Sequence, residues 1–113
     1  MKSTETLKKN YEFKNVFAKG KYYSGKYIEI FYIKNNKNIN NIGIAISSKI
    51  TNAVGRNKIK RLIRENYRLI EEEINLGYNI IFLWKKKQDI KKANFQNIKI
   101  DINNIFTKTG ILN

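Results

Sequence analysis

The chain has 113 residues, enough for one small domain, and carries a formal charge of +14 from 23 Lys and Arg against 9 Asp and Glu. Its 42% hydrophobic content argues against wholesale disorder. With no cysteine and no histidine, it has no disulfide, no thiolate, and neither the usual zinc ligand nor the usual general base.

Met1 to Asn10 is polar and lacks a signal-peptide pattern. Leu7 to Lys19 reads as a short helix, with Leu7, Tyr11, Phe13, Val16 and Phe17 at spacings of two to four and Gly20 as its stop. Phe13 and Phe17 lie one turn apart on one face. A short strand at Lys21 to Ser24 leads to a stronger one, Tyr27 to Ile33, dense in β-branched and aromatic residues. Ile28, Ile30 and Tyr32 form its buried face, and Tyr27, Glu29, Phe31 and Ile33 a partly wet one. Lys34 to Asn41 is an Asn-rich loop. Ile42 to Ser48 is the next strand, with Ile42, Ile44 and Ile46 on one face and small Gly43, Ala45 and Ser47 on the other. Lys49 continues the second parity. Asn52 caps a helix running to about Asn75, and Gly77 breaks it. Tyr78 to Trp84 is almost continuously apolar, which predicts a central strand. Asp89 caps a last helix, about Ile90 to Lys108, lined on one side by Phe95, Ile98, Ile102, Ile105 and Phe106. The pattern predicts a single α/β (α+β) domain over residues 1–113, a two-layer sandwich in the order α-β-β-β-α-β-α. Its apolar runs fall far short of the roughly 20 residues of a membrane-spanning helix, so the cytoplasm is the expected location and no membrane partner is expected.

Charge is concentrated in one place. The four arginines all lie between Arg56 and Arg68, a stretch with six basic side chains and one acidic one. On a helical wheel, Ile59, Leu62, Ile63, Asn66 and Ile70 form a stripe to face the sheet. Asn57, Lys60, Arg61, Arg64 and Arg68 fan out on the other side, Lys58 lies beyond the edge of the fan, and Arg56 sits in the first turn. Fixed cations at helical spacing suit a folded phosphate backbone, and arginine adds a planar bidentate fork. The helix start can take a further phosphate on free N–H groups beside Asn57. Nucleic acid is the commonest partner with enough negative charge to match. Glu71, Glu72 and Glu73 cluster at the far end and leave the first half strongly positive.

The run Ser47-Ser48-Lys49-Ile50-Thr51-Asn52-Ala53-Val54-Gly55-Arg56-Asn57-Lys58-Ile59-Lys60-Arg61-Leu62-Ile63-Arg64-Glu65 resembles the signature of the bacterial ribonuclease P protein component. Leu7-Lys8-Lys9-Asn10, Phe13, Val16-Phe17 and Gly20 resemble that family's opening segment, and Gly77-Tyr78-Asn79-Ile80-Ile81 its strand after the basic helix, where Asp is commoner than Asn79. The resemblance implies a fold like the second domain of ribosomal protein S5 with a left-handed β-α-β crossover, although general handedness rules predict the right-handed form. It implies that the protein pairs with a catalytic RNA to remove the 5′ leader of precursor tRNA, with no obligate protein partner. Arg56, Asn57, Lys58, Lys60, Arg61 and Arg64 match the positions that dock the catalytic RNA, and Arg68 extends that face. Phe13, Phe17, Phe31, Ala45, Ser47 and Lys49 match a cleft for the single-stranded leader. Aromatic faces stack on splayed bases without a sequence code. Three departures stand out: Lys58 where Arg is common, Ser48 where a second Lys is common, and Phe31 where the family can use Tyr. Glu29 shares the cleft face by parity and opposes phosphate or helps hold a hydrated cation.

Under this resemblance the chain supplies no catalytic group and no metal ligand. Hydrolysis falls to Mg²⁺ held mainly by the RNA, while the protein neutralises phosphate and grips the leader. The alternative is a ribosomal or ribosome-assembly RNA-binding protein with no catalytic role. A protein-only nuclease needs an acidic metal cluster that the sequence does not show. A DNA-binding protein fits the charge alone.

Overall fold

The structure is a computed structural model that describes residues 4–112. In chain order the elements are β1 (Thr4–Thr6), α1 (Asn10–Lys19), β2 (Lys21–Ser24), β3 (Ile28–Lys34), β4 (Asn40–Ile44), α2 (Ala53–Ile70), β5 (Tyr78–Trp84) and α3 (Phe95–Thr109). Short 3-10 turns follow α2, at Glu71–Glu73, and precede α3, at Ile90–Lys92. The strands form one mixed sheet in the order β1-β4-β5-β3-β2. Strand β5 is central, as its apolar run predicted. It pairs in parallel with β4, from Asn41↔Asn79 to Ile44↔Phe82, and antiparallel with β3, from Ile28↔Trp84 to Lys34↔Tyr78. Helix α2 carries the chain between the neighbouring parallel strands β4 and β5.

The two faces of the sheet are covered unequally. On one, Ile28, Ile30, Ile42, Ile80, Phe82 and Trp84 pack with Ile59, Ile63 and Tyr67 of α2 and Ile98, Ile102 and Phe106 of α3. On the other, Leu7, Val16 and Ile81 form a smaller cluster, joined by Phe13, Phe31, Ile33, Ala45 and Leu83. The two-layer expectation therefore describes the α2–α3 side, and α1 adds a third layer across the opposite face. The cause is β5. Ile80, Ile81 and Phe82 alternate in direction yet are all fully buried, so both faces need a cover.

Several boundaries differ from the sequence expectation. Strand β1 was not expected from a polar segment; it pairs in parallel with β4 through Thr4↔Asn40 and Thr6↔Ile42. Leu7 precedes α1 instead of opening it, and its N–H donates to the Ile42 carbonyl at 2.9 Å. The Glu12 carboxylate folds back to accept the Lys9 N–H at 3.0 Å, which starts α1 at Asn10. Strand β4 ends at Ile44 instead of Ser48, although the Ala45 N–H still reaches the Phe82 carbonyl at 2.9 Å. Helix α2 ends at Ile70, short of Asn75. Three consecutive glutamates then sit at the negative end of the helix dipole, where further turns are disfavoured. Asp89 caps the 3-10 turn rather than a long helix, and Asn94 caps α3 by accepting the Asn97 N–H at 2.9 Å. Phe95, at the start of α3, is exposed. Gly77 supplies the left-handed turn into β5, at φ 96°.

Asp101 is the buried acid that joins α3 to the sheet. Its carboxylate accepts the backbone N–H groups of Lys26, Tyr27 and Ile28 at 2.8, 2.9 and 2.7 Å. These are the groups that turn β2 into β3. A Cβ on Gly25 would lie 2.6 Å from the Asp101 Oδ1 and the Ile105 Cδ1, so only glycine lets the turn come this close. Asp101→Ala leaves three donors without their acceptor and is expected to lower unfolding free energy by about 3 kcal/mol or more. Urea denaturation measures this, and a loss below about 1 kcal/mol would show that water replaces the carboxylate without penalty.

Candidate nucleic-acid interface

Helix α2 begins as the sequence predicts. The Asn52 side chain accepts the Gly55 N–H at 2.9 Å. A side chain at Gly55 would collide with Thr51, so the first turn packs tightly on the residues before it. Ile59, Leu62, Ile63 and Asn66 are buried as the wheel requires, Ile70 is half-buried, and Tyr67 joins the buried set unexpectedly. The Asn66 Nδ2 donates to the Leu62 carbonyl at 3.0 Å, which helps a carboxamide tolerate the core.

The cations emerge on the opposite side. Asn57, Lys58, Arg61, Arg64 and Arg68 are exposed, and Arg56 and Lys60 are half-buried. Arg56 is already held: its Nη1 donates to the Thr51 carbonyl at 2.9 Å, five residues back. Among the described residues the one ion pair joins Arg61 Nε to Glu65 Oε1 at 3.7 Å, one turn apart. Both side chains are largely in water, with 63% and 44% exposure, so the pair contributes only a few tenths of a kcal/mol. The positive face is thus nearly unneutralised within the chain.

The second group of residues surrounds the open part of the α1 face. Phe13 is seated on Gly43; a Cβ there would lie 2.7 Å from two atoms of its ring. Phe17 is 40% exposed and meets Phe31 edge to face, with ring centroids 5.0 Å apart. Tyr22 of β2 also lies 5.0 Å from Phe31, and its hydroxyl donates to Glu29 Oε2. That hydrogen bond, then burial, raises the Tyr22 phenol above its ordinary value. Phe17, Phe31 and Tyr22 therefore make a partly exposed aromatic strip.

Beyond the strip lies a depression of about 340 Å³, lined by Glu29, Ala45, Ser47, Leu83, Lys60 and Lys86. Lys60 of the basic helix thus lines the same depression as Ala45 and Ser47, which follow β4. Lys49 does not follow the parity of Ala45 and Ser47 as expected. The strand has already ended, and the Lys49 N–H folds into a turn by donating to the Ser47 Oγ at 3.1 Å. Exposed Lys49 lines an adjoining hollow of about 290 Å³ with Lys86. Sequence reasoning missed Tyr22 and Lys86. The sequence pattern marks Tyr22 only as part of a short strand. Cross-strand pairing of Tyr22 with Phe31 is the signal that places Tyr22 here. Among the described residues no three acidic side chains gather to hold a metal ion.

A mixed sheet flanked by helices, with a cationic helix beside an aromatic cleft, defines a small basic protein of the nucleic-acid-binding class. A family model described as "Ribonuclease P" matches residues 1–110. A ribonuclease P protein component of Clostridium botulinum (strain 657 / Type Ba4) is 37% identical over 108 residues, covering 95% of this chain and 96% of that one. One from Clostridioides difficile (strain 630) is 38% identical over 109 residues, covering 96% and 94%. The solved ribonuclease P protein of Staphylococcus aureus superposes with a TM-score of 0.82 at 31% identity, covering 96% of this chain and 97% of that one. That of Thermotoga maritima superposes with a TM-score of 0.83 at 26% identity, covering 92% and 96%. The chain belongs to the ribonuclease P protein family, as a bacterial protein component.

In this family Asp was the expectation at Asn79. Here the Asn79 Oδ1 accepts from Asn35 Nδ2 at 2.9 Å and from Asn41 Nδ2 at 3.0 Å. Both contacts use an acceptor oxygen, so the carboxamide fills a position that a carboxylate also satisfies. The exposed Arg61–Glu65 pair yields a simple expectation. Glu65→Ala should change unfolding free energy by less than about 0.5 kcal/mol in urea titrations. A larger loss would mean that Glu65 has a structural role beyond the pair.

Proposed function

We propose that this chain is the protein subunit of ribonuclease P that docks a catalytic RNA through α2 and holds the 5′ leader of precursor tRNA in the cleft beside α1. It assists an RNA-based enzyme and supplies no catalytic group itself. The observation that carries the docking assignment is the cationic fan of α2, with Lys58, Arg61, Arg64 and Arg68 in water and one weak ion pair among them. Fixed guanidinium groups on a rigid helix suit repeated phosphate contacts. Asn57 and the held Arg56 add donors near the helix start, where the backbone field favours an anion.

Leader holding is supported by the Phe17–Phe31–Tyr22 strip, which offers π-faces to unstacked bases. Phe13 is more deeply packed and supports the cleft from below. Ala45 and Ser47 leave room on the floor, Lys60 and Lys86 line the depression, and Lys49 joins Lys86 in the adjoining hollow, so a phosphate backbone there meets three cations. Lys60 is the link between the two surfaces. Lys60 belongs to α2 and lines the depression with Ala45, Ser47 and Glu29, which supports reading the cleft and the docking face as adjoining surfaces. Mg²⁺ held by the RNA supplies the hydrolytic chemistry, and the protein raises its effective affinity by neutralising nearby phosphates. The finer fold assignment, to the second domain of ribosomal protein S5 with a left-handed crossover, is supported by α2 joining adjacent parallel strands.

Replacing Arg61 and Arg64 together by Ala is expected to weaken binding of the RNA subunit. The salt slope of log affinity should fall by about one for each lost phosphate contact. Filter binding across a salt series measures both, and an unchanged affinity and slope would remove α2 from the docking surface. Phe17→Ala is expected to weaken precursor tRNA binding about fivefold or more, while mature tRNA binding stays nearly constant. Equal effects on the two substrates would reduce Phe17 to a packing residue. Reconstitution with a bacterial ribonuclease P RNA at low Mg²⁺ tests the whole assignment, since leader removal should require both components.

A further inference from the structure

One hollow in the described chain lies outside the cleft. It has a volume of about 520 Å³ and lies at the opposite end of β5, lined by Lys19, Lys21, Tyr32, Lys34, Tyr78 and neighbouring residues. Strand register explains its composition. Lys21 stands directly opposite Tyr32, and Lys34 directly opposite Tyr78. Tyr32 and Lys34 are two apart on β3, so all four side chains leave the same face of the sheet. Lysine and tyrosine alternate there in a chequered block, with the Tyr32 and Tyr78 ring centroids 6.3 Å apart. This is the face that α2 and α3 cover, but α3 stops at Thr109, where Gly110 turns left-handed at φ 79°. The corner is therefore left open. Lys19, from the end of α1, completes a set of three cations, and no carboxylate lines the hollow among the described residues.

We infer that this Lys21–Tyr32–Lys34–Tyr78 corner is a second single-strand RNA platform, which takes an unpaired segment of the same RNA that docks on α2. Two features select this occupant. Tyrosine rings beside lysines offer stacking and phosphate neutralisation together, the combination that suits an unpaired strand rather than a duplex. The corner draws Tyr32, Tyr78 and Thr109 from the α2–α3 face and Lys19 and Ile33 from the α1 side, whereas the leader cleft lies toward the other end of β5. That strand is 7 residues long, so the two sites lie roughly 20 Å apart at the usual strand rise. The choice of RNA rests on the docking role proposed for α2; the platform itself does not.

The experiment uses the full chain carrying Phe17→Ala, which weakens the cleft. Its binding to a short unstructured fluorescent oligoribonucleotide is followed by anisotropy across a salt series. Adding Lys21→Ala and Lys34→Ala should lower the salt slope by about 1.4, the value for two phosphate contacts on a single strand. Lys21→Arg with Lys34→Arg should restore it. Tyr78→Leu, which keeps an apolar side chain, should weaken binding about fivefold or more, and near-ultraviolet circular dichroism checks that this variant stays folded. The same oligonucleotide annealed to its complement should bind more weakly than the single strand. An unchanged slope in the double lysine variant, or equal binding of single strand and duplex, overturns the platform. A lowered slope for the oligonucleotide with unchanged affinity for the ribonuclease P RNA overturns the choice of occupant. Loss of binding in the Arg61 and Arg64 variant is a separate result, so failure of the α2 assignment is distinguishable.

Discussion

Strand β5 has to be dry on both faces, and much of the molecule follows from that requirement. Ile80, Ile81 and Phe82 are completely out of water in succession. A strand in that condition needs a neighbour on each edge and a layer on each face. Strands β4 and β3 supply the edges. Helices α2 and α3 supply one layer, and α1 the other. Each fully buried aliphatic side chain contributes about 1.5–3 kcal/mol, so this small core is the main source of stability against strong self-repulsion at +14. Helix α1 covers its face only in part. The uncovered part is where Phe17, Phe31 and Tyr22 remain accessible, so the cleft is a gap in the third layer.

Two polar side chains inside this core, Asp101 and Asn40, are tied to backbone groups. Asp101 satisfies three N–H groups at the β2–β3 turn, and Asn40 accepts the Tyr78 N–H at 2.9 Å while donating to the Asn75 carbonyl at 3.1 Å. Such groups stabilise mainly because their removal leaves buried donors without acceptors. They also fix direction. Asp101 sets how α3 meets the hairpin, and Asn40 sets how the chain enters β5. The surfaces at the two ends of β5 inherit their geometry from these contacts.

The basic helix was legible because two independent patterns agree in it. Apolar spacing placed Ile59, Leu62 and Ile63 inward, and charge placed Arg61, Arg64 and Arg68 outward. Tyr67 escaped that reading because its hydroxyl marks it as amphipathic. Its oxygen is satisfied by Thr4 at 2.7 Å, a residue 63 positions away that no local pattern reveals. Strand β1 escaped for a related reason. Its three residues, Thr4–Thr6, carry no apolar alternation and owe their conformation to the edge of β4. Lys49 was misplaced because parity arguments hold only while a strand lasts, and β4 ends at Ile44, before the turn that carries Lys49. Lys86 and Tyr22 were present in the sequence as ordinary surface residues. Only cross-strand neighbours and the shape of the surface bring them to the cleft.

The pairing of β1 with β4 also constrains the order in which the molecule assembles. The amino-terminal strand has no partner until β4 exists, and its Thr4 hydrogen bond waits for Tyr67 in α2. Contacts so distant in sequence are slow to form, because a long loop must close before anything is gained. Helix α1 follows directly from this strand and rests on Gly43 of β4 through Phe13. The segment that emerges first therefore completes its contacts only when β4 and α2 are present, and the α1 side of the cleft depends on strands that follow it in the chain.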